Sequence, residues 1–530
     1  MIILSREWAA VPISSARGAH CCPGRCSMKR RAFLRLATVG AASAALPAWR
    51  LHAAGTPAAA GKDKPNVLFI AIDDLNDWTG CLGGHPDTKT PHLDALAARG
   101  ALFTNEHCAA PLCNPSRAAL MSGLGPATTG VYNNTNPWRK SVALAQAVTL
   151  PQHFMANGYK AIGSGKIYHG SYPDPASWDD YHPSKTQTVP PTTRPPRVPM
   201  NGLQDVGNLD WGPMPFGDDE MGDWKVASWC IEQLKQKHDK PLFLACGFSK
   251  PHLPWYVPQK YFDMFPLEGV HLPVVKEGDL DDVPPAGQKV AAPRDHLNLV
   301  RHDQWRQAVQ GYLATIAFCD AMVGRMVEGL DRSPLARETL VVLWSDHGWH
   351  LGEKLHWRKF TPWEEATRNI LAFAVPGVTK AGGRCDRPAS HLDIYPTLAE
   401  LCGLPPREGL DGTSLLPWLK DPAAPSDRAV VSTVGRALHS VRSQRWRYIR
   451  YPDGTEELYD HDKDPNEWTN LAKDAQFDAV KKDLARRLPT TDAAEIERDA
   501  GEIERAKKQL KRKAVTAGPL PPSLALAWDD

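Results

Sequence analysis

The sequence predicts an α/β protein: a large, mostly parallel sheet sandwiched by helices, with a smaller C-terminal α+β domain on an antiparallel sheet. Three observations carry this. Short, continuous apolar runs recur at Val67 to Ile72, Leu242 to Gly247 and Thr339 to Trp344. Between the last two lies a long segment with one apolar stripe at helical spacing. After about residue 410 the pattern changes to alternation around a tight turn.

Each element has a local reason. A strand covered by helices on both faces is apolar at every position, so Val67-Leu68-Phe69-Ile70-Ala71-Ile72 reads as a buried parallel strand. It ends in Asp73-Asp74. Thr90-Pro91 then opens a helix, with Thr90 as N-cap and Pro91 in the first turn, and Gly100 stops it. From about Asp303 to Leu330, the residues Trp305, Val309, Tyr312, Ile316, Cys319, Val323, Met326 and Leu330 share one face of a long helix. Residues 183–215, rich in Pro, read as a long surface excursion, and 275–300 read the same way. Further on, Arg445 to Tyr451 alternates, Pro452-Asp453-Gly454 turns and Glu457-Leu458-Tyr459 returns, which is a β-hairpin pattern. The tail from about residue 476 is charged and helix-prone. These readings divide the chain into a main domain over 62–410 and a smaller domain with its charged tail over 411–530.

Composition narrows the function. The 62 basic residues nearly cancel the 60 acidic ones, leaving a net charge of +2. No nucleic-acid partner is expected, because such a binder gathers a basic surplus on one face. An anionic ligand has to be held by a few placed cations. At the N-terminus, Met28 opens Lys29-Arg30-Arg31-Ala32-Phe33-Leu34-Arg35, followed by the weakly apolar Leu36 to Ala48. This is the pattern of a twin-arginine export signal over 28–54, with residues 1–27 as an upstream extension. A chain carrying it passes through the export machinery and works in the periplasm or outside the cell. No later run reaches the roughly 18 apolar residues of a membrane span, so stable membrane insertion is not expected. The cysteines after Met28 form no CxxC pair, against a zinc ribbon or a thioredoxin-like motif. Cys230, Cys246 and Cys319 sit in apolar surroundings and read as small core residues.

One cysteine is different. Cys113-Asn114-Pro115-Ser116-Arg117 places a thiol just before a predicted helix over Ser116 to Gly123. A helix N-terminus presents free N–H groups and the positive end of the dipole, which favour an anion. Arg117 adds a permanent, forked cation. On its own the motif also fits a low-pKa thiol nucleophile. Two further segments change its context. Asp73-Asp74 ends one predicted strand, and Ser345-Asp346-His347-Gly348 follows another. Strand C-termini of an open α/β sheet gather at one edge, where ligands bind. Three carboxylates and an imidazole collected there suit one hard divalent cation, Ca²⁺ or Mg²⁺.

With these residues in view, the chain resembles a type I sulfatase of the alkaline phosphatase superfamily, the formylglycine-dependent class. It is most similar to the iduronate-2-sulfatase-like branch. The resemblance runs from about Asn66 to about Leu471 and rests on Ile72-Asp73-Asp74-Leu75, Cys113 to Arg117 and Gly165-Lys166-Ile167-Tyr168-His169. Lys250-Pro251-His252-Leu253-Pro254, Ser345 to Glu353, Glu457-Leu458-Tyr459-Asp460 and Asp464-Pro465-Asn466-Glu467 complete it. It implies that Cys113 is converted to formylglycine by a formylglycine-generating enzyme. It also implies that Asp73, Asp74, Asp346 and His347, with modified Cys113, hold the cation, Ca²⁺ ahead of Mg²⁺. Many sulfatases carry Asn where His347 stands, and the iduronate-2-sulfatase-like branch carries His. Arg117, Lys166, His169, His252 and Lys359 are implied to surround the sulfate. Asn114 departs from the small residue many relatives have there, at a variable position of the motif.

The implied chemistry is sulfate ester hydrolysis. Hydrated formylglycine supplies the nucleophile, assisted by the cation and Arg117. Lys166 and Lys359 offset charge on the sulfuryl oxygens. His252, with Lys359, protonates the leaving alcohol, and His169 removes the proton that lets sulfate depart. The branch implies a sulfated carbohydrate such as a 2-O-sulfated uronic acid. Two alternatives stay open at this point: a phosphonate or phosphodiester hydrolase of the same superfamily, and an inactive carbohydrate-binding protein on the same fold.

Overall fold

The run from Val67 to Ile72 lies within β1 (Asn66–Asp73), near the middle of an eight-stranded sheet. The structure is a computed structural model that describes residues 64–505 and Lys507. The expected export signal and the extension before it lie outside the described residues. Along β1, Val67, Phe69 and Ala71 enter one apolar core while Leu68, Ile70 and Ile72 enter another. Both faces are covered, which is why the run has no polar position.

In chain order the remaining strands of this sheet are β2 (Ala101–Phe103), β3 (Lys160–Gly165), β4 (Asp180–His182), β5 (Leu242–Pro251), β6 (Thr339–Ser345), β7 (Leu371–Ala374) and β8 (Gly383–Cys385). They are arranged β8-β2-β7-β6-β1-β5-β3-β4. Every pairing is parallel except the two made by β7. The flanking helices include α1 (Pro91–Ala98), α2 (Cys113–Ser122), α3 (Gly222–Lys235), α4 (Trp305–Asp331) and α5 (Ile394–Leu401). Side chains of α1, α3 and α4 pack into the core that takes Leu68, and those of α2 and α5 into the core that takes Val67. From Val309 to Leu330 the expected stripe of α4 is buried, and Cys230, Cys246 and Cys319 are core residues.

Three expectations need correction, one of them only in part. α2 begins at Cys113 itself, not at Ser116. Pro115 falls in the first helical turn, where a missing N–H breaks no helical bond. Thr90 is the N-cap residue of α1, its carbonyl accepting from the Asp94 N–H, but its side chain does not cap the helix: the hydroxyl donates to Asp94 Oδ1 and accepts from the Gly80 N–H. The segment 275–300 is not a bare excursion, because helices form at Pro285–Ala291 and Arg294–Arg301. Val283 and Ala291 are buried against Ile449 and Tyr459 of the C-terminal sheet, a partner remote in sequence. The segment 183–215 is mostly irregular, yet it too is anchored. Trp211–Met214 pairs with Trp255–Pro258, and Val206, Leu209 and Trp211 enter the core.

The C-terminal sheet has four antiparallel strands, β9 (Val430–Thr433), β10 (His439–Arg442), β11 (Trp446–Arg450) and β12 (Glu456–Asp460). β11 and β12 are the hairpin that turns at Gly454. Among the described residues, no helix is long and apolar enough to cross a membrane.

Candidate active site

Two neighbouring strand ends supply the carboxylates. Asp73 closes β1, and Asp74 follows in the left-handed conformation at φ 64°, which Asp tolerates better than most residues. The turn is held from both sides. The Asp74 N–H donates to Asp346 Oδ1 at 3.0 Å, and the Tyr312 hydroxyl of α4 donates to the Asp74 carbonyl at 2.7 Å. Asp346 and His347 follow β6, the parallel neighbour of β1, so the sheet register brings them alongside.

Cys113 enters this corner as the first residue of α2. Its Sγ lies 3.4 Å from His347 Nε2 and 3.8 Å from Asp74 Oδ1. The ligand atoms of Asp74, Cys113, Asp346 and His347 all fall within 4.8 Å of one another, and Asp73, Asp74 and His252 make an overlapping group. Carboxylate oxygens with one imidazole fit a divalent cation.

Two lysines reach the same sulfur. Lys359 Nζ is 3.1 Å from Cys113 Sγ and 3.0 Å from Asp74 Oδ1. Lys166 Nζ is 2.5 Å from Asp73 Oδ2 and 3.8 Å from Cys113 Sγ. Lys166 arrives there because β3 turns at Gly165, whose φ is +84°. A Cβ at that position would stand 1.9 Å from the Gly247 carbonyl oxygen, so only glycine fits. Lys359 sits in a segment where Lys354, Leu355, Arg358 and Phe360 all have positive φ, the kind of backbone strain that gathers at functional sites. His252 Nε2 lies 3.8 Å from Asp74 Oδ2. His169 is close enough for Lys166, Asp73 and Lys359 to act on it, and its buried Nδ1 has no hydrogen-bond partner among the described residues.

Arg117 takes a different place from the one expected beside a sulfate. It is fully buried. Nε donates to Asp346 Oδ2 at 2.8 Å, and Nη1 donates to the carbonyls of Lys166 and Ile167. Nη2 donates to Asp73 Oδ1 at 3.0 Å and to the Ile72 carbonyl. All five N–H groups of the guanidinium are engaged by the protein. Arg117 therefore locks the two strand-end aspartates to each other.

The electrostatics follow from burial and these neighbours. Burial opposes the Asp73 carboxylate, but Lys166, His252, Arg117 and Lys359 together hold it well below its ordinary range. Burial pushes the Cys113 thiol well above its ordinary value, and Lys166 and Lys359 do not reverse that. Burial, then Lys166, lowers His169 far below the usual imidazole range. His252 is lowered as well, by burial, with Asp74 opposing and Lys166 adding.

Sequence reading missed two supports of this site. In the sequence Tyr312 reads only as part of an apolar stripe, although its hydroxyl also accepts from the Asn76 N–H at 3.0 Å. A buried tyrosine hydroxyl needs a partner, and that was the available signal. Ser116 donates to the Asp346 carbonyl at 2.6 Å and lies 3.0 Å from His391 Nδ1. Nothing local in the sequence joins Ser116 to His391.

The sulfatase family profile matches residues 65–404, and a profile described as N-sulphoglucosamine sulphohydrolase, C-terminal, matches 352–494. A sulfatase of Formosa agariphila is 39% identical over 458 residues, covering 81% of this chain and 87% of that protein. A choline-sulfatase of Rhizobium meliloti is 31% identical, covering 77% and 83%. Iduronate 2-sulfatase of Homo sapiens is 31% identical, covering 68% of each chain. Among solved structures, the phosphonate monoester hydrolase of Agrobacterium radiobacter superposes with a TM-score of 0.63 at 26% identity, covering 80% of this chain and 94% of that one. The chain belongs to the sulfatase family: it is a type I sulfatase, an enzyme that hydrolyses sulfate esters.

Proposed function

We propose that this sulfatase works through formylglycine made from Cys113 and one divalent cation, Ca²⁺ ahead of Mg²⁺, and cleaves a sulfate monoester on a sugar. One observation carries the first part. Cys113 stands fully buried among two lysines, an imidazole and carboxylates, and without the cation burial holds its thiol well above the ordinary range. A buried neutral thiol is a poor nucleophile. The position suits a modified side chain better than a thiolate. Formylglycine supplies a hydrated aldehyde, with one hydroxyl for attack and a second that permits release. The chemistry of the donor set supports Asp74, Asp346 and His347 as cation ligands, with Asp73 beside them. The cation supplies charge stabilisation at the sulfuryl group.

The chain's own residues do the rest. Lys166 and Lys359 offset charge on the sulfuryl oxygens. His252 Nδ1 faces the Leu253 carbonyl at 2.6 Å, so that nitrogen carries the proton and Nε2 is left to act. Burial lowers His252 below the ordinary imidazole range, and a sulfate anion beside it favours the imidazolium that protonates the leaving alcohol. His169 is held far below the usual imidazole range and its Nδ1 has no partner among the described residues, which suits a base. Arg117 fixes Asp73 and Asp346, so it acts on the sulfate through them.

For the substrate we favour a 2-O-sulfated uronic acid in a glycosaminoglycan or an algal polysaccharide. The 31% identity to iduronate 2-sulfatase and His347 in the donor set support this. Turnover of defined 2-O-sulfated oligosaccharides above choline sulfate and aryl sulfates is the expected result, and the reverse order overturns it. The likeness to a phosphonate monoester hydrolase favours one competing reading. Paired aryl sulfate and aryl phosphonate assays separate the two, with sulfate expected to react faster. We also read 28–54 as an export signal, which places the mature enzyme in the periplasm or outside the cell.

A further inference from the structure

We propose that Asp223 and Lys250 are positioning residues that fix His252 for proton transfer to the leaving alcohol. The proposal rests on the reading of His252 as general acid. His252 lies in the turn from Ser249 to Pro254, where β5 ends. The turn is gripped at both ends. At its entry the Ser249 and Lys250 N–H groups donate to Asp223 Oδ1 and Oδ2, each at 2.9 Å. Asp223 is the second residue of α3 and is 3% exposed. At its exit the Lys250 ammonium donates to the His252 carbonyl at 3.0 Å and to the Pro254 carbonyl. Between the grips the His252 N–H donates to the Ser249 carbonyl at 3.1 Å, and the ring is set by Leu253.

The charges are placed for geometry. Neither Asp223 nor Lys250 forms an ion pair among the described residues; each is satisfied chiefly by backbone groups of this one turn. Asp223 is buried and Lys250 half-buried; they favour one another's charge without touching, and taking such groups from water is costly. Burial pushes Asp223 up to about 6 and Lys250 down to about 8. Such a cost is rational where a reacting atom must be held closely, because small misplacements cost large factors in rate.

The test uses the activated, metal-loaded enzyme and a series of aryl sulfates whose phenols range from good to poor leaving groups. His252→Ala is the reference: its kcat should fall steeply as the leaving group worsens. Lys250→Met and Asp223→Asn should fall in the same direction, by about 10–100-fold on the poorest leaving group and less than about 3-fold on the best. KM should be unchanged and Lys250→Arg should restore part of the loss. Thermal unfolding identifies folded variants, and Lys250→Met carries the test if Asp223→Asn does not fold. A uniform loss, or none, in Lys250→Met overturns the positioning role even when His252→Ala behaves as expected. A flat response in His252→Ala overturns the general-acid reading and the proposal with it.

Discussion

The cluster at Cys113 and the cluster at Glu364, His461 and Glu467 are built from similar side chains. Each gathers buried or half-buried carboxylates and an imidazole around a fully buried arginine. At Glu364 the arginine is Arg447, ion-paired with Glu364 and Glu467 and donating to Ser440 Oγ, Thr367 Oγ1 and the Pro362 carbonyl. Arg442 adds a second guanidinium, at 3.2 Å from Glu364 Oε2, and His461 Nε2 lies 2.9 Å from Glu467 Oε1. The result is a clamp joining the segment after Lys359 to the C-terminal sheet. At Cys113 the carboxylates meet flexible ammonium groups instead, and both ammonium groups also reach a sulfur. Arg117 there does what Arg447 does in the clamp. The proposed catalytic cluster is thus distinguished by what its locked arginine leaves over: two lysines, a helix-start side chain and a histidine nitrogen with no partner among the described residues.

That contrast can be broken by substitution. Cys113→Ala should abolish turnover with an unchanged melting temperature. Lys359→Ala should lower kcat by about 10²–10³-fold, the scale of one lost charge-stabilising donor, in protein that remains folded. Arg447→Ala should cost on the order of 3 kcal/mol in urea unfolding, because it removes the buried guanidinium that pairs Glu364 with Glu467 and leaves them only Arg442 and His461, while the folded fraction keeps its specific activity. A loss of kcat in Arg447→Ala as large as in Lys359→Ala would erase the distinction.

Acid sharpens it further, with a smaller effect. Burial opposes the Glu364 carboxylate, yet Arg442, His461 and Arg447 hold it well below its ordinary 4.5. For a depressed folded pKa the stabilisation is present above the unfolded value and lost as pH falls through the folded one. Stability contributed by the clamp should therefore be flat from neutral pH down to about 5 and decline below 4.5. Glu364→Gln should flatten that decline, as measured by melting temperature against pH.

The two clusters also differ in how far they could be read from sequence. Asp73, Asp74, Asp346 and His347 follow apolar runs that are legible because both faces of their strands are buried. Their meeting follows from parallel pairing of β1 with β6. Cys113 was legible as a helix-start residue, and only the starting position was off, because Pro115 is compatible with the first turn. Arg117 was legible as a cation, but its five acceptors were not, since they are mostly backbone carbonyls from other strands. The clamp went unread. Glu364, Arg447, His461 and Glu467 come from separate segments, and ion pairing leaves no periodicity to detect. The helices within 275–300 were lost for the same reason: their apolar partners are Ile449 and Tyr459.

The most direct test of the account is the mass of the peptide carrying Cys113, taken from enzyme of known specific activity. The account predicts that the thiol is replaced by an aldehyde or its hydrate, in a fraction that rises in proportion to activity. Fully active enzyme carrying an unmodified Cys113 thiol would contradict it.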